Sequence, residues 1–497
     1  VKITALDSWH STPGTTIEWH PTADSVARTA HVSPTSGGLT FLAENHVRGA
    51  HVSARNGRPH LSYIGSGTTL DGVLNTEAMT SALTQFVARH SILRMWFDVE
   101  DGDVVSRSLP ADAVEFEASV GARLPSAADV HDHIRARLGA ETRSDSYPGF
   151  AFGAIVREND FSIFFGADHA LSDGSSQALA LTEIVGLYRR ALADPADTSP
   201  PVIESTSGGF AEYAQIEATL AGAHVAGTPE FAAWKDTFTR NDLQMPRFAL
   251  DLGLAPGETA PVKPIELPLL DREGIAGFDR ACKAAGGRFL AGIYAALAIT
   301  DHELGGVDNY YGMTVFDCRA MLPTYAADQG WICSFAPVEF AVAGASTFRD
   351  LVPRANAGYD RAKKLATVPV GAAMAAMMAA GASPEAVVTA PNMLSYIDFR
   401  WFPGCGDDAY DRGVIFTGEG RTGNASLWIN RDHDSVYLGS QTPDTPFAQY
   451  QVRRYFEHLA AVIDRVARTG DRAIDSPATT ADSGRIVSAG LPRERSA

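Results

Sequence analysis

Residues 164–181 read FFGADHALSDGSSQALAL. An apolar run with the character of a buried strand ends at His169, Asp173 and Gly174 follow within a short loop, and an amphipathic pattern then predicts a helix. A side chain at the mouth of such a strand–loop–helix junction is held rigidly and still reaches a cleft. Gly174 permits a tight turn or a close backbone approach. Asp173 stands near the start of the helix, where a carboxylate is stabilised. H-x-x-x-D-G has only three fixed positions, and by itself it also fits a hydrogen-bonded structural histidine.

The surroundings extend the pattern. FAFGAIVREND and FSIFFGADHA, around 150–170, predict two strands joined at the polar Arg157–Asp160 turn, and SSQALALTEIVGLYRRALAD predicts a long amphipathic helix. Upstream, residues 1–38 are rich in Ser, Thr, Pro and Gly and read as an extended arm with short strands. Residues 75–97 read as a helix turning into a strand, and Ser126 caps a helix over SAADVHDHIRARLGAE. Downstream come two helices, DREGIAGFDRACKAAGG and FLAGIYAALAITDHEL, and the strand NYYGMTVFD. Four further strands follow (MLSYIDF, GVIFTG, ASLWINR and SVYLGSQ), then a closing helix, FAQYQVRRYFEHLAAVIDRVA. The expected organisation is α+β in two related lobes: residues 1–200 as the first, 201–262 as a proline-containing crossover, 263–470 as the second, and 471–497 as a loose polar tail.

Bulk properties narrow the function. The chain has 497 residues and a net charge of −18, which argues against nucleic-acid or anionic-membrane binding and leaves any anionic substrate to a local basic patch. Arg361, Lys363 and Lys364 form one such cluster, a candidate contact for coenzyme A phosphates. The four cysteines form no C-x-x-C pair, so no metal site or disulfide framework is expected. The start shows no basic-then-apolar leader, which points to the cytoplasm, with the inner face of the membrane as a place of action. GEGRTG, 418–423, matches G-x-G-x-x-G, but strand alternation rather than a helix follows it, so it reads as a hairpin loop. His131 and His133 are i, i+2 on a helix, point to different faces, and read as solvated. MAAMM, 374–378, reads as a packed helix, with an acyl-lining surface as the alternative.

Four segments carry a family resemblance: ALTQFVARHSILRMWF, with Arg89-His90 and Leu93-Arg94; YYGMTVFDCRAML, with Arg319; QGWICSFAPVEF; and YLGSQTPDTPFAQYQVRRYFEHLAAVI. In order and spacing, from about residue 39 to 468, they resemble the CoA-dependent acyltransferases and the condensation domains of peptide synthetases. NYYGMTVFDCR, QGWICSFAPV and the opening ALDSWHSTPGTTIEWHP narrow the likeness to the polyketide-associated (Pap) acyltransferases, in the branch that acylates trehalose.

The resemblance implies two chloramphenicol-acetyltransferase-like lobes, each a mixed sheet with helices, with a channel between them and His169 midway along it as general base. It implies that Asp173 is structural and pairs with Arg319, an acid of a catalytic triad being the rival role. Trp331, Ser334 and nearby backbone N–H groups are candidates for channel lining and oxyanion contact. The chain departs from the pattern in three places. Asp168 stands where many members have a first histidine, and alternation along the strand argues against its orienting the His169 ring directly. D-F-G-W-G is absent, and Ser334 stands where G-x-x-x-N has asparagine. The last two favour ester formation over peptide-bond formation.

The expected activity is transfer of a long acyl chain from acyl-CoA to a hydroxyl of trehalose or acylated trehalose, by a monomer that needs no metal or other cofactor. A polyketide synthase or lipid transporter is a candidate partner. The alternatives are transfer from a synthase carrier to a lipid alcohol, and a non-catalytic synthase-docking protein.

Overall fold

The computed structural model describes residues 1–58, 61–194, 208–418 and 420–477. The strand that precedes His169 runs Asp160–Asp168, with Phe150–Val156 antiparallel on one side and Tyr63–Asp71 on the other. Its two-residue alternation serves two cores. Phe161, Ile163, Phe165 and Ala167 enter the main core of the first lobe, whereas Phe164 enters a second core with Ile134 and Leu138 of helix Ala127–Glu141. Gly166 shares the second face, where an added Cβ would lie 2.5 Å from Leu138 Cδ2. The helix that follows the loop, Gly174–Ala193, packs with Thr76–Arg89 on the opposite face.

The complete first sheet has seven strands, in the order Lys2–Ile3, Val414–Thr417, Tyr63–Asp71, Asp160–Asp168, Phe150–Val156, Gly14–Pro21, Phe116–Leu124. The second also has seven: Cys333–Ala341, Asn309–Asp317, Met393–Asp398, Leu427–Arg431, Ser435–Pro443, Ala260–Asp271, Arg421–Thr422. A three-stranded sheet of Thr35–Ser36, Asp103–Ser108 and Met95–Glu100 flanks the first lobe. The two-lobe α+β class expected from the sequence is the observed one.

Three details differ from expectation. Val414–Thr417, placed in the second lobe by sequence position, pairs antiparallel with Tyr63–Asp71 of the first. A short apolar run carries no mark of the sheet it joins. The first 38 residues are not merely an arm, because Gly14–Pro21 is an interior strand of the first sheet. The expected tail begins with an anchored segment: Ile474 N donates to Ser346 O at 2.9 Å, and the Arg472 guanidinium grips Glu303, its Nη2 lying 2.8 Å from Oε2. Residues 478–497 lie outside the described residues.

In the crossover, residues 195–207 likewise lie outside the described residues, and helices Phe210–Val225 and Pro229–Arg240 follow. Phe210 and Tyr213 pack in the first core and Trp234 and Phe238 in the second, so this pair carries the chain from one lobe to the other. Among the described residues no single helix is long and apolar enough to cross a membrane. One sharply bent pair, Arg272–Ala284 with Phe289–Gly305, passes by length and composition, and its apolar residues are buried in the second core.

Candidate active site

His169 opens a 3₁₀ turn, His169–Leu171, at the end of its strand. Its N–H donates to Ser62 O at 3.0 Å, and Asp168 caps the turn by accepting from Ala170 N at 2.8 Å. His169 is half-buried as a residue, while Asp168 and Asp173 on either side are buried. The Trp331 ring lies 4.1 Å from it, centroid to centroid, contributed by the other lobe. Nδ1 is buried with no hydrogen-bond partner of good geometry. Burial first, and repulsion from His46 second, push the imidazole pKa from 6.5 down to about 4, against smaller pulls from its own backbone, Asp173 and Asp168. The ring is therefore neutral at pH 7, the state a proton acceptor needs.

Asp173 caps helix Gly174–Ala193, its Oδ1 accepting from Ser176 N at 2.7 Å. Its Oδ2 accepts from Arg319 Nη1 and from Ile332 N, each at 2.9 Å. Burial alone would raise this carboxyl; the Arg319 charge and these N–H donors outweigh it and hold the group below the usual carboxylate range. Arg319 donates further to Ser176 Oγ at 2.7 Å, to Asp328 O at 2.9 Å and to Gly330 O at 3.1 Å. The result is a buried, hydrogen-bonded junction between the lobes. One Asp173 oxygen is committed to it and the other to the helix cap, which fits a structural acid rather than a triad acid. Gly330 has φ +139, and a Cβ there would lie 2.2 Å from Phe210 Cδ2, so the close approach of this loop to the crossover helix requires glycine. At Gly174 an added Cβ would lie 3.4 Å from Ile397 Cδ1, a close approach without a left-handed turn.

The other expected residues divide. Trp331 joins the site, but its Nε1–H donates to Cys333 Sγ at 3.1 Å. The Ser334 hydroxyl donates to Val368 O at 3.5 Å, and alternation puts it on the strand face opposite Cys333. Arg361 and Lys364 line a cleft of 390 Å³ beside Pro337, Glu339 and Arg240. That cleft lies several residues up the strand from Cys333, roughly 13–20 Å at about 3.3 Å per residue. Lys363 is exposed on the same helix, Phe348–Leu365.

Arg89 and His90 both meet Glu183, with Arg89 Nη1 and His90 Nε2 each 2.9 Å from its carboxylate, so they brace the helix that follows the histidine loop. His131 is buried, with Nε2 2.8 Å from Ser11 Oγ and 2.9 Å from Trp9 O, and His133 lies 3.2 Å from Glu18. The two rings do diverge, but neither is solvated as expected, because the first strands fold over this helix. MAAMM falls in helix Val370–Ala379, with Met377 buried and Met378 exposed. After Gly418 the chain forms the short strand Arg421–Thr422 against Ala260–Pro261, with no helix of the dinucleotide-binding kind.

One residue at the site has no counterpart in the sequence reading. His46, from helix Phe41–Arg55, places Nε2 2.9 Å from Asp168 Oδ1 and its ring 6.1 Å from that of His169. The available signal was Asp168 itself, since an acid ending a buried strand needs a partner.

Comparison with known proteins gives this arrangement its setting. The condensation-domain family model matches residues 56–376, a span that holds His169, Asp173, Arg319 and Trp331. The chain belongs to the condensation-domain family. Among curated relatives it is 27% identical over 479 residues, 95% of this chain and 89% of the relative, to the 2'-acyl-2-O-sulfo-trehalose (hydroxy)phthioceranyltransferase PapA1 of Mycobacterium tuberculosis. It is 28% identical over 495 residues, 96% of this chain and 100% of the relative, to the trehalose-2-sulfate acyltransferase PapA2 of Mycobacterium bovis. Among solved structures, the PapA2 acyl transferase superposes with a TM-score of 0.81 at 22% identity, covering 94% of this chain and all of that one. The first condensation domain of the calcium-dependent antibiotic synthetase superposes with a TM-score of 0.66 at 16% identity, covering 89% and 99%. The condensation-domain fold and the likeness to Pap acyltransferases both agree with the sequence expectations.

Proposed function

We propose that this protein transfers a long acyl chain from acyl-CoA to a hydroxyl of trehalose or an acylated trehalose, with His169 as general base. The observation that carries the reading is the neutral imidazole of His169, a half-buried residue beside the inter-lobe junction, its buried Nδ1 without a partner. Relatives named for acyl transfer to sulfated trehalose support the acceptor class.

In the proposed reaction the imidazole takes the hydroxyl proton as the sugar oxygen bonds to the thioester carbonyl carbon. The tetrahedral intermediate collapses with cleavage of the C–S bond. The departing thiolate receives the proton from the imidazolium, leaving an ester and free thiol. A thioester is already activated, so His169 needs only to move this one proton. Asp173 and Arg319 keep the loop in place from below. Arg361, Lys363 and Lys364 are proposed to meet the coenzyme A phosphates.

Thiol release from palmitoyl-CoA, measured with and without trehalose, tests the reading. Release that depends on trehalose supports it. Turnover only with a carrier-bound acyl chain moves the donor to a synthase. Absence of turnover with every thioester, alongside retained binding to a synthase, overturns the enzymatic reading.

A further inference from the structure

The geometry points to His46 and Asp168 as a positioning pair that holds the turn carrying His169, and so sets the imidazole. The inference rests on the reading of His169 as the base and adds two residues to it.

Asp168 occupies the position before His169 where a histidine was expected, and the structure brings a histidine against it from a helix remote in sequence. The pair is buried, with side-chain exposures of 8% for His46 and 2% for Asp168, and it is joined at 2.9 Å. The same Asp168 oxygen accepts from Ala170 N at 2.8 Å, so one carboxylate binds both the imported histidine and the backbone of the turn that carries His169. The His46 ring also meets Trp331 edge-on at 5.9 Å, and Trp331 in turn packs on His169 at 4.1 Å. A pair that served only to fill the core would not need to share both ring and turn contacts with the reacting group.

The charged and titratable groups facing His169 are His46 from helix Phe41–Arg55 and Asp168 and Asp173 from its own loop, while Trp331 brings no charge from the second lobe. Beside Asp168, a cavity of 510 Å³ is lined by His51, Arg58, Asp98, Arg143 and Asp145. Arg143 is held bidentately by Asp145 at 2.8 and 2.6 Å, and Asp98 pairs with Arg107. His46 is the group among these that disfavours a proton on His169, and Asp168 opposes it more weakly than burial and His46 act. Removing His46 takes away its repulsion, so His169 takes up a proton at higher pH.

The test is the pH profile of kcat with palmitoyl-CoA and trehalose for wild type, His46→Gln, Asp168→Asn and His169→Ala. In His46→Gln, glutamine still donates to Asp168 but carries no charge. The acid limb is expected to move to higher pH, and kcat to fall by about ten- to a hundredfold with KM little changed, the scale on which a misplaced reacting group loses rate. Asp168→Asn, which keeps an acceptor for Ala170 N, is expected to lower kcat as well, and it supplies the reading should His46→Gln fail to fold. An unmoved acid limb with wild-type kcat in a folded His46→Gln protein, or wild-type kcat in a folded Asp168→Asn protein, with His169→Ala inactive, overturns the pair while leaving the base in place. Activity in His169→Ala removes the underlying reading instead.

Discussion

Two strand ends meet between the lobes, and they are built alike. Asp160–Asp168 runs into the 3₁₀ turn His169–Leu171, and Asn309–Asp317 runs into the 3₁₀ turn Cys318–Ala320. Each strand ends in an aspartate that caps its turn, Asp168 accepting from Ala170 N at 2.8 Å and Asp317 from Arg319 N at 2.9 Å. The side chains they present are treated in opposite ways. Arg319 is saturated with partners: two carboxylates, a hydroxyl and two carbonyls. His169 has a ring nitrogen with none. A saturated group is structural because every competing contact must first break one already made. A group with few partners, on a residue partly open to solvent, has less to break before it meets a substrate. The same local device thus supplies a fixed cation on one side and a usable base on the other.

The largest effect on the fold belongs to the saturated side. Asp173→Ala leaves Arg319 buried without its main partner and is expected to cost about 3–5 kcal/mol, read as a fall in Tm together with lost activity. Unchanged melting would show that Asp317 and the carbonyls suffice, and the contrast between the two junctions would weaken.

Next comes acid stability. The His169 pKa is depressed in the folded protein, so between its ordinary 6.5 and about 4 the unfolded chain binds the proton and the folded one does not. Stability therefore falls as pH drops through that window, by up to about 3 kcal/mol from this group. His169→Gln should flatten the slope there. Asp173 is depressed in the other chemical sense: its contribution is present above its unfolded value of 3.8 and is lost only as pH falls further. Denaturation followed from pH 7 to 3 separates the two windows, and an unaltered slope in His169→Gln would contradict the buried neutral ring.

How much of this could be read beforehand follows from the same contrast. His169 and Asp173 were legible because an apolar strand, a histidine and a helix cap are all local in sequence. Arg319 was found through family likeness, since nothing near it announces a partner on another lobe. His46 was not legible at all: a histidine within the polar helix FLAENHVRGAHVSAR carries no sign of what it will face. The exchange of Val414–Thr417 into the first sheet was hidden for a similar reason, strand pairing being a property of two segments and not of one. At His131 the face argument held, but exposure depended on Trp9 and Ser11 arriving from the chain start.

Smaller effects sharpen the picture. Trp331→Leu removes the ring contact with His169, with an expected stability loss of about 1 kcal/mol, the scale of an aromatic pair. It should also let the His169 pKa rise toward 6.5, followed by NMR titration of the imidazole. A pKa that stays near 4 would assign the burial to other neighbours. The smallest change is expected from Arg361→Ala combined with Lys364→Ala, where both side chains are exposed: melting should shift by no more than about 0.5 kcal/mol. A raised KM for palmitoyl-CoA in that variant would place the donor phosphates in the cleft, and an unchanged KM would remove these residues from the donor site.

The most direct measurement is turnover of palmitoyl-CoA with trehalose by His169→Ala, made beside a melting curve at pH 7. The predicted result is a loss of about 10²–10⁴-fold in kcat, the span of general-base catalysis, in a protein that stays folded and loses no more than about 1 kcal/mol with the Trp331 ring contact. Wild-type turnover from a folded His169→Ala protein would show that the under-bonded imidazole is not the base.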